Sequence, residues 1–181
     1  LGLEVEILVN NAGVLHRGAF TETAFGDQQG LVQLNIGALT ELTHLFLPGM
    51  VQRGRGRILN MASSAAFQPM PWVATYGASK AYVLSFSEAL AIELQGSGVA
   101  VSALCLGFTQ TALIAQQGAK TFKVPLLKNA TPQAVAAKAY AVCMAGKPVH
   151  IHGVFMRCMI LMGQHLPRWM QTVRVDELEL R

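Results

Sequence analysis

Charge is what this chain has least of. Only 13% of its 181 residues are Asp, Glu, Lys or Arg, against roughly 25% in an ordinary soluble domain. Much of its surface is therefore expected to be covered by neighbouring layers or by other subunits, which predicts a homodimer or homotetramer. Cysteine is scarce too: Cys105, Cys143 and Cys158 lie far apart with no CxxC pair. That spacing excludes a disulfide framework and a zinc knuckle and points to a reducing, cytoplasmic setting. No uninterrupted apolar run reaches the ~18 residues of a membrane span. The opening LGLEVEILVNNAG has neither the basic flank nor the small-residue cleavage site of a signal peptide. Internal repeats and low-complexity tracts are absent as well. The net charge is +4, but the basic residues are scattered, and Arg53, Arg55 and Arg57 alternate with Gly54 and Gly56 as in a solvated turn. No nucleic-acid partner is expected.

What is present is a regular alternation of apolar segments. Residues 5–10 form a short Ile/Leu/Val run stopped by Asn-Asn-Ala-Gly, as in a strand buried on both faces. In residues 27–50, Leu31, Leu34, Leu42, Leu45 and Phe46 recur at helical spacing, and Pro48-Gly49 is read as the close of that helix. Residues 57–61 (RILNM) read as a second strand. A Pro-containing loop and a helix over 75–95 follow, ended by Gly96 and Gly98, and then a third strand over 99–106. Residues 107–129 have no clear period. Thr131 before Pro132 marks a helix start, giving a helix to about 145 and a short strand near 149–151. Strands that are nearly all apolar, alternating with helices, imply one α/β domain with a parallel sheet covered on both sides. An apolar helical stretch near 155–162 and a charged end, 168–181, close the chain.

In such sheets ligands bind beyond the carboxyl ends of the strands. Asn10-Asn11-Ala12-Gly13, Ser63-Ser64 and the segment from Gly107 to Thr111 fall there. Tyr76-Gly77-Ala78-Ser79-Lys80 follows, with Tyr and Lys four residues apart on one helix face. A free Tyr has a pKa near 10. Lowering it by about 3 units costs roughly 4 kcal/mol, which an adjacent ammonium and a cofactor's positive charge can provide. Lys80 is then the activator and Tyr76 the general acid/base.

These motifs, with Asn35 and Gly37 in the first long helix, resemble the classical short-chain dehydrogenase/reductase (SDR) family over residues 7–153. The run ASSAAFQPMP, with AYVLSFSEAL and GKPVHIHG, resembles an uncharacterised bacterial subgroup of it. The resemblance implies a Rossmann-like, doubly wound sheet and hydride transfer between the C4 of NAD or NADP and a small carbonyl or alcohol substrate. It implies that Ser63 holds the substrate oxygen, the thirteen-residue separation from Tyr76 selecting Ser63 over Ser64. Lys80 would also hold the nicotinamide ribose, and Asn35 would anchor a water of the proton relay. Asn10, Ala12 and Gly13 would line the cofactor groove, joined by Gly107 and by Thr111, which would contact the carboxamide or pyrophosphate. Residues 112–129 would be the substrate loop and 154–181 a helical tail.

The family's TGxxxGxG turn is not in this sequence, and Leu106-Gly107 stands where the family has Pro-Gly. The resemblance therefore places residue 1 at the family's fourth strand, with about 80 residues expected upstream. Substrate, reaction direction and the choice between NAD and NADP are not legible. An alternative reading is a non-catalytic SDR half serving as an oligomerisation module. A Ser-Lys hydrolase using Ser63 or Ser79 is a weaker idea, because no GxSxG elbow is present. His150, His152 and His165 have no nearby carboxylate to complete a metal site, and Met156, Met159 and Met162 read as core or subunit contacts.

Overall fold

Apolar runs of four to eight residues between helical stretches do form parallel strands. The computed structural model describes residues 4–107, 131–163 and 165. Strand β1 is Ile7–Asn10. The next helix is built as α1 (Phe25–Val32), a wider π-helical segment (Gln33–Ala38) and α2 (Leu39–Gln52). Strand β2 (Gly56–Ser63) leads through a 3-10 turn (Ser64–Phe67) to helix α3 (Ala74–Glu93) and strand β3 (Val99–Leu106). Helix α4 (Pro132–Ala145), strand β4 (Val149–Ile151) and helix α5 (Val154–Gly163) complete the described elements. The four strands pair in parallel in the order β1-β2-β3-β4, with Asn10 beside Asn60, Ser63 beside Leu106 and Ala103 beside Val149.

Side chains alternate across this sheet as its pleat requires. Leu8, Ile58, Val101 and Met50 form one buried cluster, and Ala62, Ala103, Cys105, Leu39, Val83 and Leu84 another, so α2 and α3 cover the same face. Leu59 and Leu104 point the other way and pack on Val135, Ala139 and Val142 of α4. On β1 that second face is open: Ile7 and Val9 are 40% and 51% exposed, whereas Leu8 is buried.

Two readings need correction. Pro48 does not close the first long helix; it stands inside α2, which runs four residues further. A proline removes one intrahelical hydrogen bond, but the actual stop comes at Gly54, whose φ of 65° reverses the chain while its N–H donates to Val51 O at 3.0 Å. The sequence pattern also shows nothing of the π-helical segment. Two arginines of the following turn meet the entry to β1, Arg53 donating to Val5 O and Arg55 pairing with Glu4 and Glu6, whereas Arg57, already in β2, donates to Cys143 O of the helix over 132–145. Thr131 caps α4 as read, accepting from Ala134 N, and Gly146 ends it at φ 62°.

Gly96 and Gly98 both have positive φ, of 81° and 78°, but differ in surroundings. A Cβ at Gly96 meets nothing, whereas one at Gly98 runs into the Gly54 backbone carbonyl. We expect Gly96→Ala to cost about 1 kcal/mol, the ordinary left-handed penalty, and Gly98→Ala clearly more, because two turns must separate. Urea midpoints of the two variants check this, and equal losses would refute the close approach.

Candidate active site

The carboxyl ends of β1, β2 and β3 gather the residues singled out above. Ser63 is the last residue of β2 and caps the 3-10 turn, its Oγ accepting from Ala65 N at 3.2 Å. The Ser63 hydroxyl also bears on the Tyr76 side chain, in the sense that lowers the Tyr76 pKa. Ser64 begins the turn itself. Lys80, one helical turn after Tyr76, is buried; its Nζ donates to Met61 O at 2.8 Å and lies 5.7 Å from the centroid of the Tyr76 ring.

Asn35 sits in the π-helical segment and is only 2% exposed. Its Oδ1 accepts from Val14 N at 2.9 Å, and its Nδ2 donates to Val14 O at 3.0 Å and to Ser79 Oγ at 3.1 Å. Ser79 donates onward to Tyr76 O at 2.7 Å. The side chain of Asn35 therefore ties the loop after β1 to the helix that carries Tyr76 and Lys80. Gly13 lies against this junction: a Cβ there would come 3.2 Å from Asn35 Oδ1 and 3.6 Å from Lys80 Nζ.

Asn10 lies deeper than the groove. Its Nδ2 donates to Asn60 Oδ1 at 2.8 Å and to Thr43 Oγ1 at 3.2 Å, so the side chain is built into the sheet, while Ala12 beyond it is exposed. Gly107 ends β3 against Met156 of α5, where an added Cβ would come 3.2 Å from Met156 Cε. Thr111 and residues 112–129 lie outside the described residues.

Val14 and Trp72 are parts of this arrangement that the sequence reading passed over, and Ser79 entered it only as an alternative nucleophile. Ser79 stood inside the Tyr-Lys motif, and its hydroxyl could have been asked for a partner. Trp72 gave no signal. It holds a φ of 66°, a backbone conformation that is uncommon outside glycine, and its carbonyl accepts from Gly18 N at 2.9 Å.

The electrostatics depart from expectation at Tyr76. Burial raises its pKa above the ordinary 10.0, and the hydrogen bond from Ser63 opposes this without overcoming it. Lys80 does not lower it, because the same burial disfavours the ammonium and pushes Lys80 from 10.5 down to about 8. The protein by itself thus favours a neutral phenol beside a lysine that titrates within reach of neutrality.

This depression has a measurable consequence. The folded state releases the Lys80 proton near pH 8 and the unfolded chain near 10.5. Between those values the unfolded state binds more protons, so this lysine makes stability rise with pH across that window. Cys105 and Cys143, whose thiols burial pushes up, act in the opposite sense above pH 9.0. They do so equally with and without Lys80. We expect the urea midpoint of the parent, minus that of Lys80→Met, to rise from pH 8 to 10.5; a flat difference would remove the argument for a desolvated ammonium.

Comparison with known proteins agrees with this fold. The family model for short chain dehydrogenases matches residues 3–121. The chain is 36% identical over 133 residues to the ketoacyl reductase HetN of Nostoc sp., covering 73% of this chain and 46% of that protein. It is 42% identical over 114 residues to a very-long-chain 3-oxoacyl-CoA reductase of Pyrenophora tritici-repentis, covering 62% of this chain and 33% of the relative. It thus spans a third to a half of these curated relatives. The solved short-chain dehydrogenase from Sphingobium yanoikuyae in complex with NADPH superposes with a TM-score of 0.76 at 32% identity, over 88% of this chain and 62% of that one. The parallel sheet, the Ser63–Tyr76–Lys80 arrangement and these matches lead to one statement: the chain belongs to the short-chain dehydrogenase family.

Proposed function

We propose that this protein is an NAD(P)-dependent oxidoreductase that interconverts a carbonyl compound and its alcohol, with Tyr76 as the proton donor and acceptor. The observation that carries the reading is the placement of Ser63 and Lys80 about Tyr76 at the open end of the strands, with Ser63 bearing on the Tyr76 side chain and Lys80 Nζ 5.7 Å from its ring centroid. Ser63 would hold the substrate oxygen and Tyr76 would deliver the proton to it. Burial keeps Tyr76 in its phenol form, which suits donation and hence carbonyl reduction at neutral pH. Lys80, with a pKa of about 8, is matched to return a proton to the phenolate.

The groove also fits a nicotinamide dinucleotide. Gly13 leaves open the space in front of Asn35 Oδ1 and Lys80 Nζ that a Cβ would fill, so Lys80 can meet the ribose hydroxyls. Ala12, Gly13 and Gly107 would line the groove, with Asn10 behind them and Thr111 beyond. Bound there, NAD or NADP would supply or take up the hydride at the reacting carbon. The Sphingobium protein is solved with NADPH, and a 3-ketoacyl-(acyl-carrier-protein) reductase from Brucella melitensis, 30% identical, with NADH. Because the amide of Asn35 is committed to Val14 and Ser79, any part it plays in a water relay falls to its main chain.

The substrate class supported by the relatives is a ketone, since they include ketoacyl and 3-oxoacyl-CoA reductases and a 17-beta-hydroxysteroid dehydrogenase of Mus musculus. With the protein expressed from its complete coding region, we expect saturable enhancement of NADH or NADPH fluorescence and turnover of a 3-oxoacyl thioester. Tyr76→Phe should lower kcat by about 10²–10⁴-fold while leaving cofactor affinity within a few-fold. Ser63→Ala should slow turnover and Ser64→Ala should not. Absence of binding by either nucleotide, or an active Tyr76→Phe, would overturn the reading.

The low charge has a counterpart on the long helices: Leu42, Leu45 and Val51 of α2 and Ile92 of α3 are exposed, and Thr40 and Tyr82 join the two helices at 2.9 Å. We read this as the face of a two-fold homodimer, or of one interface in a tetramer. Since α3 also carries Tyr76 and Lys80, Leu45→Asp should both shift the protein toward monomer by light scattering and lower its activity. A monomer with normal turnover would refute the link.

A further inference from the structure

Helix α5 is apolar on both its inner and its outer face. At 3.6 residues per turn, Met156 and Ile160 share the face that packs on the sheet, and Ile160 is buried. The opposite face, where a surface helix carries its polar residues, instead carries Val154, Phe155, Met159, Leu161 and Met162, which are 82%, 41%, 49%, 49% and 62% exposed. Arg157 lies at the edge of this apolar face and leans over a cleft of about 590 Å³ between α4 and the β4–α5 turn. That cleft has an apolar floor of alanines and Ile151, and Lys138, His150 and His152 stand around it with Arg157.

Residues 94–175 contain eight Lys and Arg and no Asp or Glu, and among the described residues none of the cleft's charged groups forms an ion pair. His150 records the imbalance: burial first, then Lys138, His152, Lys147 and Arg157, hold it below its ordinary pKa. The sequence reading took the basic residues as scattered. It missed that one long stretch carries no acid at all and that the fold gathers part of it on one side.

We propose that the outer face of α5 and the adjoining cleft dock the protein on an anionic lipid surface, with the apolar side chains in the headgroup–acyl boundary and lipid phosphates over Lys138, His150, His152 and Arg157. A ten-residue helix is about 15 Å long, half of a ~30 Å hydrocarbon core, and no described helix is long and apolar enough to cross a membrane. The helix therefore lies in the interface instead of spanning it. A second copy of this chain is a poorer occupant. A two-fold pairing through this face would set Lys138 and Arg157 against their own copies, whereas phosphate headgroups complement them. The contact of Met156 with Gly107 brings the docked helix to the end of β3, beside the candidate active site.

The test is co-sedimentation of the full protein with vesicles of phosphatidylcholine alone and of phosphatidylcholine with phosphatidylserine, at low and high salt. We expect binding to the phosphatidylserine vesicles, weakened by salt, and little to the neutral ones. Lys138→Glu and Arg157→Glu should each weaken that binding by about fivefold or more. Val154→Asn combined with Met162→Asn, which leaves every charge in place, should weaken it at least about tenfold. Far-UV circular dichroism confirms that each variant is folded. The proposal is overturned by no binding to either vesicle, by undiminished binding of the charge-reversed variants, or by saturable binding of inorganic phosphate without vesicle binding. It is equally overturned by a concentration-dependent dimer that Met162→Asn abolishes and vesicles fail to displace.

Discussion

The side chain of Asn35 is the constraint on which the site rests. One buried amide answers the N–H and the C=O of Val14 and the hydroxyl of Ser79, and so joins three segments distant in sequence: the loop after β1, the π-helical segment and α3. A buried group left without its partner costs about 1–3 kcal/mol. Loss of this amide would strand several at once, beside the residues that handle the proton. Wider π-type turns inside helices are frequent at functional sites, and here the segment holds Asn35 between the loop and α3. The position of Lys80 is a consequence: its Nζ is held between Met61 O, the Tyr76 ring and the open space above Gly13.

A second polar chain runs beneath the first. Thr43, Asn10, Asn60 and Ser87 are linked through buried hydrogen bonds, ending where Ser87 donates to Val83 O at 2.6 Å. The chain crosses from α2 through β1 and β2 to α3 on the face that those helices cover. It also fixes register. Asn10 lies beside Asn60, and slipping one strand by a residue would turn one amide to the opposite face and leave the other in an apolar layer. One acceptor in it, Asn10 Oδ1, is buried without a partner among the described residues. The asparagine at the head of the NNAG motif thus has its side chain in the architecture, and only the residues after it reach the groove.

Much of this was legible in the sequence because it follows from periodicity and from residues with a single use. The short strand 149–151, the Thr131-Pro132 helix start and the parallel sheet all came from apolar spacing and capping chemistry. Ser63 was chosen over Ser64 from its spacing to Tyr76 and stays a proposal, supported by the bearing of the Ser63 hydroxyl on Tyr76. What was not legible depended on three dimensions. Pro48 reads as a stop in a string of letters, yet a helix can run past it until a glycine with positive φ ends the turn. A π-helical segment has the same composition as an α-helix. The pKa of Tyr76 was argued from the Lys80 ammonium and a cofactor's positive charge, without the burial that raises it in the protein alone. The unbalanced charge of residues 94–175 was visible in the sequence throughout, but only the folded arrangement of α4, β4 and α5 gives it a location.

Because the strands pair in the order in which they occur along the chain, the sheet is suited to growth during synthesis. β2 needs only β1 to dock against, β3 needs only β2, and each joining helix is already made when its strand arrives. Domains emerging from the ribosome at roughly 5–20 residues per second allow each added layer time to settle. An order that interleaved early and late strands would leave an unpaired slot waiting for a distant segment. On this route β3, whose central residues are the most completely enclosed, is sealed only when the short β4 arrives. The Tyr-Lys helix would therefore be in place, though still open to solvent along one side, before β4 is added.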